Sequence, residues 1–207
     1  MTDATHPILA QADGQAIPVH PLAEVEVEAF LAQKRAAVRT YAVANTFTGK
    51  AGQVLAVPGA SGAIERVLFG LGSNRGGGRV DLSLFRTLAG ELPAGQYALT
   101  RIPRGVDPGE AALAFALGTY RFDRYKKKGE PIARLVAPKG VDAAVVTAFA
   151  HACALCRDMV NTPANDMGPL QIETIAGEIA EKYGATLSVV RGDDLLRENY
   201  PAVHAVG

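Results

Sequence analysis

The sequence predicts an α/β fold, a mostly parallel or mixed sheet covered by helices. Three observations lead there. Short apolar runs alternate along the chain with longer stretches of helical spacing, the pattern of strand–helix units. Several of the longer stretches carry recognisable helix start and stop residues. The composition, 48% hydrophobic and 20% charged over 207 residues, is that of an ordinary globular protein able to bury a core.

Residues 1–21 read as an irregular lead-in with a short strand at Ile17–His20. From Glu24 to Ala44, Val27, Phe30, Leu31, Val38 and Tyr41 recur at near-helical spacing, which predicts one helix, with a break allowed. Val54–Val57, stopped by Pro58-Gly59, and Arg66–Leu71 are strands. Ser73–Arg79 is a glycine-rich loop, and Asp81–Leu92 a helix with Asp81 at its start and Pro93 just after it. Gln96–Thr100 is a strand. Asp107-Pro108-Gly109-Glu110 starts a helix with a capping aspartate and a proline at the first position, and that helix is expected to run to Lys126. Its Lys126-Lys127-Lys128 ending complements the helix dipole. Ala133–Val136 is the next strand, and Asp142 to Val160 the next helix. A helix over Pro169–Tyr183 follows, with Gly184 as its cap. Thr186–Val190 reads as a strand, Asp193–Glu198 as a short helix and Val203–Val206 as a strand. Two strands cannot form a core of their own, so residues 169–207 are expected to open a domain that needs further elements.

Formal charge is zero, from 21 basic and 21 acidic side chains, which excludes nucleic-acid or membrane-surface binding driven by global charge. No unbroken apolar run reaches the roughly 18 residues of a membrane span. The first 20 residues have no lysine or arginine and do not form a signal peptide. With only two cysteines, the expected address is a reducing cytoplasm.

Local constellations offer little chemistry. The glycine loop follows a strand and precedes a helix, yet Gly70-Leu71-Gly72 is followed by Ser73-Asn74-Arg75, without the third glycine of a dinucleotide fingerprint. Cys153-Ala154-Leu155-Cys156 has redox and zinc spacing, but no second pair completes four zinc ligands. The motif lies within an apolar helix, so both thiols are expected to face the core with Phe149. Asp193 and Asp194 are adjacent, point about 100° apart on a helix, and suit capping rather than a shared ion. The lysines at 126–128 suit a solvated helix end. His6, His20, His151 and His204 are scattered and give no nucleophilic arrangement.

The most informative stretch is Arg157-Asp158-Met159-Val160-Asn161-Thr162-Pro163-Ala164-Asn165-Asp166-Met167-Gly168. Proline keeps Thr162 out of the helical basin, so the incoming helix should end near Asn161. Asn161, Asn165 and Asp166 can bond nearby backbone and turn the chain. Gly168-Pro169 then restarts a helix. As a string the stretch resembles the start of the catalytic domain of the leucyl (cytosol) aminopeptidase family, where an R-D-x-x-N-x-P-x-N pattern recurs. Gly192–Leu196 and His204–Gly207 resemble later strings of that family. Upstream, Val67–Gly72, Leu92–Tyr97 and Tyr120–Tyr125 resemble its amino-terminal domain, so the likeness runs from about Val54 onward.

The resemblance implies a macrodomain-like α/β domain over residues 1–139. Residues 140–207 would then be a connecting helix and the beginning of an incomplete catalytic domain. For the complete protein it implies hydrolysis of amino-terminal residues of peptides at two divalent ions, manganese or zinc, in a cytoplasmic hexamer. In that family the metal ligands and catalytic residues follow the stretch present here. No catalytic, metal or cofactor-binding residue is therefore assigned within 1–207, and the chain is expected to be scaffold. Some family members bind DNA, for which the zero net charge gives no support. The alternative is a self-standing macrodomain-like module that binds a nucleotide or ADP-ribose, with Arg75 and Arg79 as phosphate contacts.

Overall fold

The fold is built around a six-stranded sheet whose order in the chain's numbering is β1-β6-β5-β2-β4-β3. The computed structural model describes residues 9–10, 16–73, 80–126 and 132–206. Their strands are β1 (Leu9–Ala10), β2 (Ile17–Ala23), β3 (Val54–Pro58), β4 (Ile64–Gly72), β5 (Gly95–Leu99) and β6 (Ala133–Val136). All neighbouring pairs are parallel except β3–β4, an antiparallel hairpin at one edge. The sequence places a short strand at 17–20 within a lead-in. Instead β2 is central, with Ile17 opposite Tyr97 and Val19 opposite both Leu99 and Val67.

Alternation along the strands separates two cores. Val19, Val67, Phe69, Tyr97 and Leu135 face one way, against Phe85 and Leu88 of α3 (Ser83–Glu91) and Phe115 of α4 (Pro108–Gly118). Leu22, Val57 and Leu68 face the other way, against α1 (Glu24–Ala32) and α2 (Ala36–Ala44). Burying a side chain of this size contributes about 1.5–3 kcal/mol. The helix predicted over 24–44, with a break allowed, is broken into two, because the chain turns at Gln33-Lys34-Arg35. There the Arg39 guanidinium donates to the Lys34 carbonyl (2.7 Å), and Arg35 reaches Glu65 on β4. The Arg66 and Arg35 guanidiniums hold the Glu65 carboxyl below its ordinary range. The turn lets Val27 and Leu31 on one helix and Val38 and Ala42 on the other reach the same sheet face.

The start of α4 is as the sequence predicts: Asp107 Oδ1 accepts from the Glu110 N–H (2.9 Å), with Pro108 at the first position. Its end is not. The helix stops at Gly118, and Thr119 ties off the Ala116 carbonyl with its hydroxyl (2.8 Å) and its N–H (3.2 Å). Gly118 lies against the Arg86 backbone, where an added Cβ would come within 2.8 Å of Arg86 Cα. Lys126 therefore lies outside any helix, and Lys127 and Lys128 fall outside the described residues.

The chain forms two compact units, Met1–Asp158 and Met159–Gly207. Val146 and Ala150 of α5 (Ala143–Asn161) belong to the core under α3 and α4, so the first unit includes most of that helix. By length and composition alone α5 is apolar enough to cross a membrane, with mean hydropathy 1.4. Counting unbroken apolar runs missed this, since alanines and cysteines raise the average around His151 and Thr147.

Within the second unit, a single 3₁₀ turn at Ala164–Asp166 leads to α6 (Pro169–Tyr183). The Gly168 N–H donates to Gln171 Oε1 (3.0 Å) at its start, and Gly184 closes it in the left-handed conformation at φ 64°. The strand expected at 186–190 is not formed, since no described residue offers it a ladder partner. Asp194–Arg197 is a short helix, α7, and the strand expected at 203–206 is instead α8 (Pro201–Val206). Proline at the first position favours a helix there, and the N–H groups of Val203 and His204 both donate to the Tyr200 carbonyl.

Candidate functional site

The predicted signature residues are held by the first unit in a specific way. Arg157 Nη1 donates to the Leu117 carbonyl at the end of α4 (3.0 Å), and its guanidinium lies over the Tyr120 ring, 4.9 Å from the centroid. The Tyr120 hydroxyl donates to Asp158 Oδ1 (2.8 Å). Helix α5 presents both residues because they fall one turn before its end at Asn161. The pair thus clamps the close of α4 to the close of α5. This arrangement satisfies a helix carbonyl and orients a chain segment. Asn161, Asn165 and Asp166 are exposed around the 3₁₀ turn, as a chain-turning role requires. Tyr120 and Leu117 are the partners that sequence reasoning missed. Tyr120 stood in one of the family-like strings, but nothing in its spacing named Asp158.

At the carboxyl ends of the parallel strands, where ligands bind in open α/β sheets, the starts of α3 and α4 border a pocket of about 330 Å³. It is lined by Val80, Asp81, Leu82, Gly105, Val106 and Glu110. The Ser83 N–H donates to Asp81 Oδ1 (2.8 Å), which holds that carboxyl below its usual range. Among the described residues, two acidic side chains, Asp81 and Glu110, line this space. Most of the glycine loop, with Arg75 and Arg79, lies outside the described residues.

Cys153 and Cys156 do not face the core. Both are free and exposed, and Phe149 is 60% exposed beside them. The core side of α5 is taken by Val146 and Ala150 instead. Asp193 stands before α7 without capping it by its side chain, correcting that expectation; it lies 3.6 Å from His204 Nε2, while Asp194 pairs with Arg197. Among the described residues no three His, Cys, Asp or Glu side chains come together as a metal site.

Among the described residues, His20 is the one titratable group with a large shift. It sits half-buried on β2, its ring 4.9 Å from Phe30 and its Nδ1 3.3 Å from Thr100 Oγ1. Burial, then Lys34 and Arg66, lowers its pKa from 6.5 to about 4. The groups around it are a phenyl ring, a threonine hydroxyl and two cations, and the consequence is for stability. The unfolded chain protonates near pH 6.5 while the folded chain resists, so stability is full above that pH and falls as pH drops towards 4. Allowing for solvent screening, the loss between pH 7 and 4 is about 1–2 kcal/mol. Urea unfolding at the two pH values will show that much smaller a difference in His20→Phe than in the unmodified chain. An equal pH dependence in both proteins would contradict this assignment.

Comparison with known proteins gives matches both in sequence and in fold. A family model described as "M17 aminopeptidase, N-terminal domain" matches residues 17–138. A probable cytosol aminopeptidase from Methylorubrum extorquens is 33% identical over 68% of this chain and 32% of its own length. One from Corynebacterium efficiens is 26% identical over 77% of this chain and 34% of its own. The chain therefore spans about a third of the length of these curated relatives. Among solved structures, the cytosol aminopeptidase from Coxiella burnetii superposes with a TM-score of 0.81 at 31% identity, covering 96% of this chain and 42% of that one. The bottromycin maturation enzyme BotP, solved in complex with Mn, gives a TM-score of 0.62 at 26% identity, covering 87% and 39%. These matches give no support to a nucleotide- or ADP-ribose-binding module. With the family's domain model covering the whole sheet from β2 to β6, this chain belongs to the M17 aminopeptidases and carries their N-terminal domain.

Proposed function

We propose that the chain is the amino-terminal scaffold of a cytoplasmic, metal-dependent leucyl aminopeptidase that removes amino-terminal residues from peptides. The match over residues 17–138, with a fold likeness extending over 96% of the chain, carries this reading. Two divalent cations, manganese or zinc, would polarise the scissile carbonyl and activate water in such an enzyme. The described side chains here do not fit that centre: their carboxylates and histidines are dispersed, and Asp193 and Asp194 face separate partners. No catalytic step is therefore assigned to residues 1–207. In this reading the catalytic side chains lie outside these residues, and the complete enzyme is a homohexamer joined through its catalytic regions. Residues from 140 onward lead from the amino-terminal domain into the peptidase region, with Arg157 and Asp158 fixing where α5 leaves the first unit.

The test is activity of the 207-residue chain with excess manganese or zinc on a leucine chromogenic amide. The expected result is release no faster than in buffer with metal alone. Turnover that scales with homogeneous protein and disappears with chelator would overturn the scaffold reading.

A further inference from the structure

The two cysteines of α5 have a geometry that the peptidase reading does not use. Cys153 and Cys156 are free and exposed in the first unit. Residues three apart on a helix share a face, with their Cβ atoms about 5–6 Å apart. A disulfide requires a Cβ separation of about 3.5–4.5 Å, so joining these thiols directly would distort the helix. A thiolate–ion–thiolate bridge is longer. Two metal–sulfur bonds of about 2.3 Å each span about 4.6 Å between sulfurs, a separation that suits side chains whose Cβ atoms stand about 5–6 Å apart.

Ligand chemistry then selects the ion. Soft thiolates favour Cu(I) over hard cations, and this d¹⁰ ion accepts two-coordination. Zinc instead takes four ligands in closed protein sites. No third His, Cys, Asp or Glu side chain joins the pair among the described residues. His151 lies two positions before Cys153, about 200° around the helix. On the thiol face, exposed Phe149 lies one turn before Cys153 and offers an apolar flank to a bridge of low charge.

The geometry points to Cys153 and Cys156 as a two-thiolate site for a single Cu(I) ion. Binding is a ligand substitution without redox: two S–H bonds release their protons, two S–Cu bonds form, and copper stays monovalent.

The experiment is an anaerobic titration of the 207-residue chain, reduced and metal-free, with Cu(I) in competition with a colorimetric Cu(I) chelator. One ion per chain is expected. Cys153→Ser and Cys156→Ser, each alone, should lose at least tenfold in affinity, because a bridge needs both sulfurs. Excess zinc should not displace the copper. A single variant that keeps the unmodified affinity, or stoichiometric displacement by zinc, would overturn the site. Alkylation of the unmodified chain gives a second readout that does not depend on how the variants fold. Cu(I) should slow iodoacetamide labelling of both thiols together. Labelling of either thiol at an unchanged rate would refute the bridge.

Discussion

Replacing Gly70 with alanine will lower stability by on the order of 3 kcal/mol, more than most single changes. Gly70 lies in β4 beneath the loop 49–53, which folds back on the strand. The Gly70 N–H donates to the Gln53 carbonyl (2.7 Å), its own carbonyl accepts from Gly52 N–H (3.0 Å), and Gly72 N–H donates to the Gly49 carbonyl (2.8 Å). A Cβ at Gly70 would overlap the Lys50 carbonyl oxygen and stand 2.7 Å from Gly49 C and 2.8 Å from Gly49 O. All three are backbone atoms of a loop tied by those hydrogen bonds and by the Gln53 N–H to the Lys50 carbonyl (3.0 Å), so none can swing aside as a side-chain tip would. Gly90 is the matched control. It lies inside α3 with nothing within 4 Å of its added Cβ, and Gly90→Ala should be neutral or stabilising by up to about 1 kcal/mol. Urea unfolding of both variants decides the matter. A Gly70→Ala protein as stable as Gly90→Ala would mean that the loop does not rest on β4.

Phe69→Ala will cost about 3–5 kcal/mol. The Phe69 ring is fully buried and meets Phe85 of α3 edge-on, with centroids 5.6 Å apart. Its loss removes transfer energy, leaves a cavity where sheet and helix meet, and deletes an aromatic contact of about 0.5–1.5 kcal/mol. Val43→Ala, at a side chain 70% exposed on α2, should change stability by no more than about 0.5 kcal/mol. Equal midpoints for the two variants in denaturant would place the core elsewhere.

Where a signal was local, the sequence was sufficient. Ala133–Val136 and Pro169–Tyr183 form the expected strand and helix with the expected bounds, because alternation, proline and the glycine cap act within a few residues. Strand β2 was harder, since Pro18 and Pro21 argue against a central strand. A proline gives up only its N–H, however, and the Pro21 carbonyl still accepts from Arg101 Nη2 (2.9 Å). Helix α5 misled for another reason. Its residues are apolar on every side, so hydrophobicity could not say that Val146 and Ala150 face the core while Val145 and Phe149 face outward. The signature was legible as a string but not as a device. Its contacts to Leu117 and Tyr120 bridge 40 and 38 positions, beyond any local pattern.

The two cores differ in how much chain each needs. The one under α1 and α2 draws all its buried members from Leu22 to Leu68. The one under α3 and α4 needs Leu9 at one end of the chain and Ala150 at the other. Closing a loop that long costs entropy before any contact repays it, and such pairings form slowly. During synthesis the first layer can close once about seventy residues are available, presenting β2 and β4 with one face already covered. The opposite face of the same strands must wait until α5 has been made. The sheet thus acquires its two sides at different times, and the later side is the one exposed to wrong partners while it waits.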